Sequence, residues 1–187
     1  MAERAATASD VAAAVAALPG TGLRLVGIDG AGGAGKTALA ARVSARLNAD
    51  GVRTDVVHVD DFSSLHLAEW DWGRLREQVL LPLLAGRPAR YQVWDWARDA
   101  GGVWVDLEPG GVVLVEGVSA TRTEVGAPWT LTVWVEAPAD VRRRRAIERD
   151  GPGMWPVWRD RWIPSEEAYF ARERPAERAD LVVDGTA

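Results

Sequence analysis

The 187-residue chain contains no cysteine, which removes disulfides and thiolate metal sites and fits a cytosolic protein. Histidine is nearly as scarce: His58 and His66 are the only two, too few for the usual zinc centres. No apolar run approaches the roughly 20 residues a membrane span needs. The chain does not open on a basic region followed by an apolar core, as a secretory signal would. A cytoplasmic protein with no membrane partner is therefore expected. Acidic residues outnumber basic ones, and the net charge of −5 argues against nucleic acid as a partner. Lysine is the most informative shortage. Of 22 basic residues only Lys36 is a lysine. A lysine kept against so strong an arginine bias marks a place where a compact ammonium is needed and a planar guanidinium will not fit.

What is present suits a soluble globular protein: 48% of residues are apolar and 26% charged. The length allows one domain with a substantial core. Helices are expected at 8–18, at 36–51, at 72–86 with a proline bend, at 138–151 and at 163–174. Continuous apolar runs at 23–28, 52–59, 112–117, 131–137 and 179–185 read as strands. Their alternation with helices predicts a three-layer α/β fold with a mainly parallel sheet of five strands. Ligands bind at the carboxyl ends of strands in such folds. Gly30–Thr37, Asp60, Asp61 and Glu116 all fall there.

The stretch GIDGAGGAGKTALAARV (27–43) fits two phosphate-binding patterns. From Gly30 it reads G-x-G-x-x-G, the dinucleotide fingerprint, and Asp55 lies near the distance of a ribose-binding acid. That acid should end the second strand, however, and Asp55 falls near its start. Extended to Lys36 and Thr37, the same glycines read G-x-x-x-x-G-K-T, the P-loop, and this reading is preferred. Backbone N–H groups of Gly30, Ala31, Gly32, Gly33, Ala34 and Gly35 would cradle phosphates without side chains in the way. Lys36 would reach the β- and γ-phosphates, and the Thr37 hydroxyl would hold Mg²⁺. The guanine motif N-K-x-D cannot exist without a second lysine, and no L-S-G-G-Q is present. What remains is a small phosphotransferase using ATP.

The P-loop followed by VDDF (59–62), VLVEG (113–117) and DVRRRRAIERD (140–150) resembles the uridine kinase group of P-loop kinases, over roughly residues 23–184. The resemblance implies a single kinase domain over 1–187 with an arginine-bearing lid near 140–163. It implies that Asp60 accepts the acceptor hydroxyl's proton and helps organise Mg²⁺, with Asp61 on the substrate side. Glu116, an acid ending an apolar strand, needs a partner, which is either Mg²⁺ or a neighbouring arginine. Arg142, Arg145 and Arg149 share a helical face. In the family such arginines close on the triphosphate, so Arg145 and Arg149 are assigned to catalysis and Arg142 to the acceptor. Asp71 resembles the acid that binds ribose hydroxyls. Trp94, in YQVWDWARD (91–99), stands where an aromatic stacks on the acceptor base, with tryptophan here in place of tyrosine. Trp70, Trp72, Trp94 and Trp96 are balanced between packing and substrate contact, and the stripe Trp155, Trp158, Trp162 reads as core. A nucleoside is the leading acceptor. The alternatives are a vitamin precursor, a sugar or an antibiotic, or a non-catalytic ATP sensor.

Overall fold

The computed structural model describes residues 5–20, 22–64, 67 and 69–186; His66 lies outside them. In chain order the elements are α1 (Ala8–Ala17), β1 (Arg24–Gly30), α2 (Lys36–Ala49), β2 (Thr54–His58), α3 (Trp72–Leu75), α4 (Leu81–Leu84), β3 (Ala89–Asp95), β4 (Ala100–Leu107), β5 (Val112–Glu116), β6 (Leu131–Glu136), α5 (Ala139–Asp150), α6 (Trp155–Val157), α7 (Ile163–Glu173), α8 (Pro175–Arg178) and β7 (Leu181–Asp184). None of the described helices is long and apolar enough to cross a membrane.

The main sheet has five strands in the order β2-β5-β1-β6-β7, all parallel. Side chains alternate across a strand, so each strand feeds two cores. Val112 and Leu114 join Val26, Ile28, Leu39, Val43 and Val133 under α1 and α2. Val113 and Val115 join Leu25, Val57, Phe62, Leu75 and Leu83 on the opposite face. This double burial is why the strands read as unbroken apolar runs.

Two features depart from the sequence expectation. The helix expected at 72–86 is two short helices, α3 and α4, joined by a π-helical turn over Arg76–Leu80. Pro82 has no N–H to return to the Gln78 carbonyl, so the regular ladder cannot run through. The second is an antiparallel hairpin, β3–β4, outside the main sheet, in a region read only for its resemblance. Tyr91 of β3 stacks on Phe62 with ring centroids 5.0 Å apart. The hairpin is thereby held against the short 3₁₀ turn Val59–Phe62, which carries Asp60 and Asp61.

The carboxyl end of β1 is tied by a buried acid. Asp29 is 1% exposed. Its Oδ1 accepts the N–H groups of Gly30 and Ser119 at 2.7 and 2.9 Å. Its Oδ2 accepts the Thr121 N–H at 3.0 Å, and the Thr121 and Tyr169 hydroxyls, both at 2.7 Å. Asp29→Ala would strand five donors and is expected to lower stability by about 3 kcal/mol. Urea unfolding measures this, and a loss below about 1 kcal/mol would show that water replaces the carboxylate at little cost.

Candidate active site

The parallel register assembles the site. Glu116, the last residue of β5, pairs with Ile28 of β1 on one side and His58 of β2 on the other. The chain leaves β1 into the P-loop and β2 into the turn that holds Asp60. Three strand ends therefore deliver their loops to one edge. A cleft of about 390 Å³ opens there, and Lys36, Thr37, Asp60, Glu116, Arg145 and Arg149 all line it.

Lys36, at the start of α2, is buried, and its Nζ donates to the Ala31 carbonyl at 2.8 Å. The ammonium thus curls back over its own loop. The next residue, Thr37, faces the cleft, and its hydroxyl donates to Glu116 Oε1 at 2.9 Å. The same oxygen lies 2.6 Å from His58 Nδ1. Burial pushes the Glu116 carboxyl up, but the His58 bond, Lys36 and the Thr37 hydroxyl outweigh it and hold it below the usual carboxylate range. The Glu116 bond raises His58, against the effect of burial, with Asp61 and Asp60 adding to the rise. The partner of Glu116 is thus a histidine and a threonine rather than an arginine. In the sequence His58 carries no local signal of this role, since its partner lies 58 residues away and meets it only through the β2–β5 register.

Asp60 is exposed and lines the cleft. The protein packed around its carboxyl and the nearby Glu116 push it above the usual range, while Lys36, Arg149 and His58 pull it down. Asp61 is also raised, mainly by burial, and accepts the Tyr91 hydroxyl at 3.3 Å. Asp71 is drawn to the same turn through its N–H bond to the Phe62 carbonyl. Its Oδ1 caps α3 by accepting the Arg74 N–H at 3.0 Å. Trp94 is half-buried on β3, and its indole Nε1 is buried with no hydrogen-bond partner among the described residues. Trp70 packs in the core with Nε1 on Ser119 Oγ, whereas Trp72 and Trp96 are exposed.

The arginines of α5 part ways. Arg145 donates to the Gly33, Ala34 and Gly185 carbonyls at 3.2, 3.3 and 2.9 Å. Arg149 is held by both oxygens of Asp150 at 2.7 and 3.0 Å. Arg142 turns its Nε to the Ala137 carbonyl and does not line the cleft. Gly185 escaped the sequence reading. A Cβ there would stand 1.8 Å from the Ala34 carbonyl oxygen, so only glycine lets the end of β7 touch the P-loop.

The donors suit a hard cation. A threonine hydroxyl and two carboxylates are the oxygen ligands Mg²⁺ takes, with water and phosphate oxygens completing its shell. Among the described residues no group of three or more acids, histidines or cysteines could cage an ion alone. The residues therefore fit a cation that arrives with a triphosphate.

The His58–Glu116 pair carries a pH signature. A base raised on folding adds its full stability below its unfolded value, about pH 6.5, and loses it as pH climbs through the higher native value. Wild type should therefore exceed His58→Gln in urea-unfolding stability by most near pH 5.5, with the gap closing toward pH 8.5. A gap that stays constant over that range would rule out a charged native pair.

No family model matches the chain. The uridine kinase of Deinococcus deserti is 31% identical over 143 residues, spanning 67% of this chain and 68% of that protein. The uridine kinase of Halobacterium salinarum is 29% identical over 142 residues, spanning 67% of this chain and 61% of that protein. A solved Bacillus stearothermophilus structure, described as a possible uridine kinase, superposes with a TM-score of 0.76 over 95% of this chain and 97% of that one, at 24% identity. The likeness in fold and the identity to the Deinococcus relative agree with the P-loop and its strand-end acids. The chain belongs to the uridine kinase-like family of P-loop kinases.

Proposed function

We propose that the protein transfers the γ-phosphoryl group of ATP to a hydroxyl of a small molecule, with a nucleoside as the leading acceptor. The observation that carries this is the convergence of Lys36, Thr37, Asp60 and Glu116 on one cleft at the ends of β1, β2 and β5. Phosphoryl transfer asks a protein mainly for positioning and charge neutralisation. The loop amides and Lys36 would grip the phosphates, and Arg145 and Arg149 would answer the charge that develops on the transferring group. Thr37, Glu116 and Asp60 would hold Mg²⁺. When bound there, the ion would supply charge neutralisation to the phosphates.

Asp60 takes the proton in this reading. The acceptor oxygen attacks the γ-phosphorus, the bond from that phosphorus to the bridging oxygen of ADP breaks, and the acceptor proton passes to the Asp60 carboxylate. Its raised pKa makes it a better base than an ordinary surface aspartate. The nucleoside preference rests on the names of the two relatives. Asp61, Asp71 and Trp94 do not line the cleft; in this reading the two carboxylates would take ribose hydroxyls and the Trp94 ring would stack on the base. The stretch 140–163, with its arginines, would act as the lid over a single domain.

Asp60→Ala should lower turnover by about 10²-fold to 10⁴-fold while ATP binding stays near that of wild type. A coupled ADP assay and calorimetry read the two quantities, and unchanged turnover removes Asp60 from the chemistry. The acceptor is tested by a screen of nucleosides, sugars, vitamin precursors and aminoglycosides with ADP release as readout. Transfer to a non-nucleoside reassigns the substrate. Tight ATP binding with no transfer to any acceptor turns the reading to a sensor.

A further inference from the structure

One buried acid beside the P-loop has no part in the chemistry above. Glu166, in the first turn of α7, is 5% exposed. Among the described residues its two carboxylate oxygens share a single donor, the Gly32 N–H, at 3.1 and 3.2 Å. Asp29, equally buried, has five donors. A buried carboxylate so thinly served is costly. Burial raises its pKa, against the pull of the Gly32 amide, Lys36 and Arg142, and Asp29 adds to the rise. The ring of Trp158 closes the same spot: a Cβ on Gly32 would stand 2.4 Å from it. Gly32 is one of the loop residues whose amides would face phosphate. A side-chain anion holds that amide, within the field of Lys36.

We propose that Glu166 is a resident anion that competes with the triphosphate for the Gly32 side of the P-loop, so that nucleotide binding requires its carboxylate to withdraw. This rests on the kinase reading of the site. Repulsion between Glu166 and the nucleotide grows with the number of phosphates. An isosteric neutral side chain would keep the shape and still accept from the Gly32 N–H. It would lose only the competing charge.

The test is calorimetric titration of ATP, ADP and AMP, each with Mg²⁺, into wild type and Glu166→Gln. ATP should bind about tenfold more tightly to the variant, equivalent to about 1.4 kcal/mol. The gain should be smaller for ADP and smallest for AMP. Unchanged or weaker ATP affinity, in a variant that melts with wild type, overturns the proposal, because that is how a carboxylate that merely pins the loop behaves. If Gln impairs folding, Glu166→Ala gives the second measurement, and the same graded gain is required. Should wild type bind no nucleotide while Glu166→Gln binds ATP, the competition is complete and the proposal stands. If neither binds any, the kinase reading falls and this inference falls with it.

Discussion

Asp29, one residue before the end of the central strand, holds its carboxylate out of water, and its five donors come from the P-loop, the turn after β5 and helix α7. Charge-assisted hydrogen bonds in a low-dielectric setting are strong and directional. The three segments therefore hold fixed positions about one point. The P-loop leaves β1 in a set direction, and Glu116 meets Thr37 at its end at hydrogen-bond distance. A loop of glycines has little stiffness of its own. What keeps this one in shape lies beneath it, in Asp29, and beside it, in the Arg145 and Gly185 contacts.

Register completes what Asp29 begins. Parallel pairing places His58, Glu116 and Ile28 in one row across three strands. A slip of one residue would send Glu116 to the other face of the sheet. The site is thus a consequence of sheet pairing that apolar side chains decide far from the chemistry. The short turn after β2 then lifts Asp60 into the cleft, while Phe62 from the same turn anchors in the core against Tyr91.

The sheet, its parallel sense and the P-loop were legible because each is a local pattern: apolar runs, helical spacing, glycines before a lysine. Asp60 and Glu116 were legible because an acid at the end of an apolar strand has no place in a core. His58, Glu166 and Gly185 were not, since their roles come from pairings 58, 134 and about 150 residues apart in the chain that no local window holds. The hairpin is hidden for a different reason: Val103 and Trp104 are both exposed, so the second strand shows no alternation of buried and exposed residues there. The arginines show the limit of helical spacing. Arg142, Arg145 and Arg149 share a face, yet a helix resting on the P-loop gives each a different partner.

The cleft holds its cations on partners of unequal strength. Lys36 rests on a carbonyl of its own loop and Arg145 on three carbonyls, all neutral acceptors. Arg149 is paired with Asp150; burial pushes that acid up, but the Arg149 and Trp158 bonds outweigh it and hold it below its usual pKa. A phosphate anion attracts a cation more strongly than a carbonyl does, so Lys36 and Arg145 lose little by turning to it. Arg149 would have to give up an ion pair, though an exposed one of small worth. Trp158 bonds Asp150 through its indole N–H and also lies on Gly32. The one charged restraint of the three is therefore the one joined to the P-loop surface, so in the kinase reading proposed above a phosphate settling on Gly32 would reach the Arg149 pair through the Trp158 ring.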